Sequence, residues 1–278
     1  MTKHIGIIGA GQMGQGIAQV FASHDFTVTL HDVNDEALKK AKSKLTETLN
    51  KLVEKNKIDA NQAKSTLSRI TYSGDFKDCN LVIEAAIENF EIKTQIFKHI
   101  ESQVSSDCII ATNTSSISIN KLADNLDKPA RFLGIHFMNP APIMPLIEVI
   151  KGKQTSDSTM KTALDLINTI GKQPVISADS PGFIVNRILI PMLNESIILL
   201  HDKVASAEDI DKAMMLGAGF PMGPLKLADF IGLDTCLAIM EVLHKELKSD
   251  KYKPSELLRK YVKDGKLGKK SGHGFYDY

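Results

Sequence analysis

Two sets of residues in this 278-residue chain have types and spacings that can do chemistry. The first is Gly9-Ala10-Gly11-Gln12-Met13-Gly14, a G-x-G-x-x-G run that follows the apolar Ile5-Gly6-Ile7-Ile8 and opens an amphipathic stretch. In that setting Gly9 permits a tight turn, Gly11 lets the backbone approach a pyrophosphate, and Gly14 lets a helix pack close to a strand. The helix start at Gln12 and Met13 then offers free N–H groups and a partial positive charge to phosphates. Asp32, 21 residues beyond Gly11 at the end of the run TVTLH, is placed to bind the adenosine ribose hydroxyls. A carboxylate there repels a 2′-phosphate and no Arg lies nearby to neutralise one, so NAD is expected over NADP. FAD fits the same fingerprint, but the chain lacks an evident second lobe to cover a flavin. A Gly-rich turn with an unrelated Asp is the competing reading, which strand, spacing and helix together oppose.

The second set is His136 and Glu148. His136 closes the run Phe132–Ile135, at the carboxyl end of an expected strand, where open α/β sheets place their ligands. Glu148 lies inside the apolar run LIEVI, where a carboxylate is costly without a partner. A Glu bonded to one ring nitrogen of His fixes the tautomer and raises basicity at the other, which makes a general base. The same pair also reads as a buried structural contact. The segment Ala111-Thr112-Asn113-Thr114-Ser115-Ser116 follows another apolar run and has hydroxyls and an amide for a substrate oxygen or a ribose, though such clusters are also ordinary turn and cap material.

These residues need a scaffold, and the first part of the chain alternates β-branched runs with helical stretches, the pattern of a parallel sheet wrapped by helices. Strands are expected at Ile5–Ile8, Thr27–His31, Leu81–Ile83, Cys108–Ala111, Phe132–Ile135, Leu146–Ile150 and Gln173–Ser177. Helices are expected at Gln12–Ser23, from about Asn34 to Lys57, after an Asp59 N-cap, and from about Glu91 to Val104. After Ser180-Pro181-Gly182 the strand-like runs cease, and helices are expected from about Phe183, Ser206, Leu225 and Pro254. The fold class is thus α/β, a Rossmann-type doubly wound, mainly parallel sheet over 1–182, followed by a smaller all-helical domain over 183–278. So small a helical unit with so apolar a first helix is expected to complete its core against a second copy, giving a homodimer.

Composition narrows the class of function. Lys+Arg total 34 against 33 Asp+Glu, so the chain lacks the basic excess of a nucleic-acid binder. The apolar stretch Phe183–Leu200 contains Asn186, Arg187, Pro191, Asn194 and Glu195, which suits a buried helix and not a membrane span. Cys79, Cys108 and Cys236 are scattered, with no C-x-x-C pair, so neither a disulfide framework nor a metal site is expected, and a reducing cytoplasm fits. Lys39, Lys40, Lys42, Lys44, Lys51, Lys55 and Lys57 crowd one segment, readable as a solvated helix face or as an anion-binding one.

Taken together, the chain resembles the 3-hydroxyacyl-CoA dehydrogenase family. The resemblance runs through GAGQMGQGIA, VIEAAIEN, NTSS, GIHFMNPAP, LIEVI, SPGFIVNRIL, GAGFPMGPL and GKKSGHGFYDY. It implies an NAD-dependent oxidation of the (L)-3-hydroxyl of an acyl-coenzyme A, short-chain by likeness to the stand-alone 3-hydroxybutyryl-CoA enzymes. It further implies that His136 is the general base, that Glu148 orients it, and that Ser115 and Asn186 bind the reacting oxygens or position the substrate. Glu88, Lys93, Asn113 and Asn139 fall where the family touches nicotinamide and its ribose, and Lys270 falls at another cofactor contact. Thr48 and Lys55 match positions associated with coenzyme A, which favours the anion-binding reading of the Lys-rich helix. Pro145 departs from the Lys common in relatives, removing a charge and an N–H beside the LIEVI strand. The competing readings are an NAD-dependent dehydrogenase of a free hydroxy acid such as a sugar acid, and a non-catalytic NAD-binding protein.

Overall fold

In the computed structural model, which describes residues 3–278, the alternating runs become one eight-stranded sheet with helices between its strands. The elements run β1 (His4–Ile8), α1 (Gln12–Ser23), β2 (Thr27–His31), α2 (Asp35–Glu54), α3 (Ala60–Ser68), β3 (Ile70–Tyr72), β4 (Leu81–Glu84) and α4 (Phe90–Gln103). They continue with β5 (Ile109–Thr112), α5 (Ile119–Ala123), β6 (Phe132–Phe137), β7 (Leu146–Lys151), α6 (Asp157–Thr169) and β8 (Gln173–Ala178). The spatial order is β3-β2-β1-β4-β5-β6-β7-β8. Neighbours from β3 through β6 pair parallel, β7 runs antiparallel to β6, and β8 is parallel to β7. Strand order reverses between β1 and β4, so the carboxyl ends of β1, β2, β4, β5 and β6 share the edge at which such sheets open a binding crevice.

The central strands are apolar without alternation because helices cover both faces: every residue of β4, β5 and β6 is buried. Helix α1 packs Ile17, Ala18, Val20 and Phe21 onto the sheet, with the Phe21 ring edge-on to Phe26 and Phe137 at centroid distances of 5.4 and 6.3 Å. Helix α2 buries only Ala41, Leu45 and Leu49, an i, i+4, i+8 stripe, and is otherwise polar. Asn34 caps it by accepting from the N–H groups of Glu36 and Ala37, and Asp59 forms a reciprocal capping box with Gln62 at the start of α3. Three elements of this unit go beyond the sequence expectation: the three-residue edge strand β3, too short to show a period, the five-residue α5, and α6, whose Met160, Ala163, Leu166 and Ile167 face the core.

Contacts divide the chain into the units Met1–Ser180 and Pro181–Tyr278. The second unit holds α7 (Val185–His201), α8 (Ala207–Gly217), α9 (Pro224–Ile231), α10 (Leu233–Leu247) and α11 (Glu256–Lys263). Its core gathers Ile190, Leu193, Ile197, Leu225, Cys236, Met240, Leu243 and Leu258. The helix expected from Leu225 is two helices, because Gly232 at φ +104° breaks the chain between α9 and α10. Two buried carboxylates stand in for side-chain caps and tail anchors. Asp211 accepts from the N–H groups of Leu225 and Lys226 and from the Tyr276 hydroxyl. Asp229 accepts from the N–H groups of Phe275 and Tyr276 and from the Tyr278 hydroxyl. All three cysteines are free and buried, and burial pushes their thiols up to about 12, so they act as small apolar side chains. Among the described residues no helix is long and apolar enough to cross a membrane, and no group of His, Cys, Asp and Glu is arranged to hold a metal ion.

Candidate active site

The turn from β1 into α1 forms a cradle built by its glycines. Gly9 sits at φ +101°, and a Cβ there would lie 2.5 Å from the Ala85 carbonyl oxygen; a Cβ on Gly14 would lie 1.8 Å from the Gly9 oxygen. Gly11 has nothing within 4 Å of a Cβ position. The outer two glycines are thus required by the protein's own packing, whereas the middle one leaves room beside the backbone. Helix α1 has no side-chain N-cap, so its first N–H groups are not claimed by a capping side chain, which suits an anion. Asp32 follows β2 and braces the turn: Oδ2 accepts from Ala10 N at 2.8 Å and Oδ1 from Asn34 N at 3.0 Å. These donors, the open space at Gly11 and the carboxylate beyond β2 fit a pyrophosphate-linked adenosine. Met13 packs against the core of the first unit. Gln12 donates to the Asn139 side chain at 3.1 Å, tying the cradle to the segment that follows β6.

His136 is the next-to-last residue of β6 and lies directly opposite Glu148 in the antiparallel register with β7. Nδ1 of the ring stands 2.7 Å from Oε2 of Glu148. His136 is 7% exposed and Glu148 is wholly buried, so the carboxylate is held away from water against the imidazole. The loop joining these strands is pinned by Lys172, a buried ammonium that donates to the carbonyls of Ala141 at 2.8 Å, Met144 at 2.7 Å and Pro142 at 3.3 Å. Asn113 closes the gap to the neighbouring strand end, its Oδ1 accepting from Phe137 N at 2.9 Å.

The segment after β5 is organised by Glu88. One oxygen, Oε1, accepts from Thr114 Oγ1 at 2.6 Å, Ser115 N at 2.9 Å, Ser115 Oγ at 3.3 Å, Ser116 N at 3.0 Å and Ser116 Oγ at 2.9 Å. Burial by itself pushes this carboxyl up, but the Lys93 ammonium and the donors from Thr114, Ser116 and Ser115 outweigh it and hold the group below its ordinary range. Lys93 is 1% exposed, 2.6 Å from Glu84 and 3.4 Å from Glu88. It is therefore a support beneath Glu88 and not an open surface contact.

The other expected residues belong to α2 and to the helical unit. Thr48 is half-buried on α2. Lys55 is exposed at the C-cap, one position past the helical residues, so the helix ends before the expected Lys57. Several neighbouring lysines are engaged already: Lys39 with Glu36, Lys44 and Lys51 with Glu47, and Lys42 over the Tyr72 ring. In the helical unit, Asn186 lies in the first turn of α7, and Lys270 pairs with Asp234 at 2.5 Å. Sequence reasoning missed Glu84 and Lys172, and the hydroxyls of Thr112 and Thr114, expected to be open to a ligand, are turned instead to Glu84 and Glu88. The signal for Glu84 was present, since it ends the apolar run LVIE just as Glu148 sits inside LIEVI.

Comparison with known proteins agrees with this geometry. The family model for the NAD-binding domain of 3-hydroxyacyl-CoA dehydrogenase matches residues 4–180, and the model for the C-terminal domain of that enzyme matches 182–278. A probable 3-hydroxybutyryl-CoA dehydrogenase of Deinococcus radiodurans is 52% identical over 276 residues, covering 98% of this chain and 99% of that protein. The 3-hydroxybutyryl-CoA dehydrogenase of Bradyrhizobium diazoefficiens is 50% identical over 281 residues, covering 100% and 96%. The crystal structure of the (S)-3-hydroxybutyryl-CoA dehydrogenase of Ralstonia eutropha matches with a TM-score of 0.96 at 46% identity, covering 100% of this chain and 99% of that one.

Proposed function

The chain belongs to the 3-hydroxyacyl-CoA dehydrogenase family and is an NAD-dependent dehydrogenase, and from that premise we propose that it interconverts (L)-3-hydroxybutyryl-CoA and acetoacetyl-CoA. The observation that carries this reading is the His136–Glu148 pair, held opposite each other on β6 and β7 beside the strand ends that carry the dinucleotide cradle. Gly9, Gly11, Gln12, Met13 and Gly14 form the pyrophosphate turn, and Asp32 takes the adenosine ribose. Glu88, Asn113 and Asn139 line the nicotinamide end, with Lys93 beneath Glu88, and Lys270 keeps the cofactor contact that the family likeness implies. NAD, when bound, supplies the two-electron acceptor.

The chain's own residues handle the proton. Glu148 occupies Nδ1 of His136, which fixes the ring and leaves Nε2 as the nitrogen that takes the proton of the 3-hydroxyl. As the ring gains charge, the buried carboxylate balances it in a low dielectric. Ser115 and Asn186 hold the reacting oxygens, and Thr48 and Lys55 meet the coenzyme A portion.

The test is oxidation of NADH with acetoacetyl-CoA beside free acetoacetate. Turnover of the thioester alone is expected. Equal turnover of the free acid overturns the acyl-CoA assignment, and tight NADH binding without turnover of either overturns the enzyme reading.

The protein is further read as a cytoplasmic homodimer. Its three thiols are unpaired, which suits a reducing compartment. The helical unit exposes Ile188, Val204, Leu216 and Phe230, each more than half accessible, which supports a second copy meeting this unit.

A further inference from the structure

Glu84 has no part in the steps above, yet it is as enclosed as Glu148. It closes β4 and is wholly buried. Its Oε1 accepts from Lys93 Nζ at 2.6 Å and from Ala86 N at 2.6 Å, and its Oε2 accepts from the Thr112 hydroxyl at 2.7 Å. Thr112 in turn accepts from Thr114 N, so Glu84 ties the end of β4 to the Thr114–Ser116 turn that Glu88 grips from the other side. Lys93 stands 2.6 Å from Glu84 and 3.4 Å from Glu88. One ammonium thus serves two carboxylates, and the formal charges of the three groups sum to minus one.

A clamp for one lysine needs only one carboxylate, and a second buried one is costly. What the second supplies is a fixed charge in a medium where charges act over several ångströms. The oxidised nicotinamide ring is cationic, whereas the reduced ring is neutral. We propose that Glu84, acting through Lys93, sets the charge of the Glu84–Lys93–Glu88 cluster at minus one and thereby biases the site toward the oxidised coenzyme. Glu84 is then a positioning residue that tunes the ratio of affinities for the two coenzyme forms. The inference rests on the reading that Glu88 stands beside the nicotinamide. The His136–Glu148 pair, linked to the same rim through Asn113 and Phe137, contributes equally in every variant considered.

The experiment is equilibrium binding of NAD and NADH to the full chain by calorimetry, for the wild type, Glu84→Gln, Glu88→Gln and the double variant Glu84→Gln/Lys93→Met. Glu84→Gln brings the cluster to zero, and is expected to weaken NAD relative to NADH by roughly three- to tenfold. The double variant returns the charge to minus one, and its NAD-to-NADH ratio is expected to return toward that of the wild type. A structural role alone predicts no such return. Equal weakening of both forms in Glu84→Gln, or a ratio that stays shifted in the double variant, overturns the proposal. If Glu84→Gln fails to fold, the decision falls to the other two: a shifted ratio in Glu88→Gln with a wild-type ratio in the double variant supports it, and any other combination overturns it. Glu88→Gln leaving both affinities unchanged overturns the placement of Glu88 at the nicotinamide and the proposal with it, whereas a ratio shifted in Glu88→Gln but not in Glu84→Gln overturns the proposal alone.

Discussion

At the scale of residues, the rim separates groups that meet the reaction from groups that hold them. His136→Ala removes the proton acceptor and should lower kcat by about 10²- to 10⁴-fold while NADH binding, read by fluorescence, stays near wild type. Glu148→Gln keeps the volume but not the charge, so kcat should fall while the KM for the acyl-CoA moves little; an unchanged kcat would reduce the pair to a structural contact. Glu88 makes a prediction in pH. Its folded-state pKa lies below that of the unfolded chain, so the ionised form adds stability above the unfolded pKa, and that contribution is lost as pH falls through the folded pKa. The difference in Tm between wild type and Glu88→Gln should therefore be present near about pH 7 and close toward about pH 3. A difference that holds constant into acid would mean that the carboxylate's charge is not what secures the Thr114–Ser116 turn.

At the scale of elements, the glycines of the β1–α1 turn divide by what surrounds them. Gly14→Ala drives a methyl into the Gly9 carbonyl and should cost about 1–3 kcal/mol along with coenzyme binding, whereas Gly11→Ala meets open space and should leave Tm unchanged while raising the Kd for NAD. Equal loss of stability in both would contradict the view that Gly11 is kept for a ligand. The elements most legible in the sequence were those with a strong local pattern. Asp59 and Gln62 announce α3 by side-chain capping, and the runs TVTLH and LIEVI fall on β2 and β7 as read. What escaped depended on partners far along the chain. The edge strand β3 exists because Ile70–Tyr72 pairs with β2, and α9 parts from α10 at Gly232, after which Leu233 N donates to the distant Leu267 carbonyl. The same holds for the site. Its histidine and glutamate were visible by type, but their exact opposition comes from the β6–β7 register, where a slip of one residue would turn Glu148 to the other face. Lys172 was invisible, because its partners are three backbone carbonyls.

At the scale of the whole molecule, each unit has its own core and each leaves apolar side chains uncovered, Val33 at 95% and Ile143 at 75% exposure in the first, Leu216 at 77% and Ile188 at 68% in the helical one. Replacing Leu216 with Glu should shift the sedimenting mass from dimer to monomer without loss of NADH binding; a wild type that sediments as a monomer would remove the dimer altogether. The burial of Lys93 and Lys172 has a consequence of a different kind. They are the two buried lysines among the described residues, one against Glu84 and Glu88 and the other inside the β6–β7 loop. Amine-directed labels should therefore decorate the surface lysines of the native protein within minutes and leave these two unmarked. Their reaction, followed by peptide mass, becomes a clock for opening of the rim: Lys93 reports on the β4–α4 corner, Lys172 on the loop behind the histidine, and the order in which they react tells which side of this sheet edge gives way first.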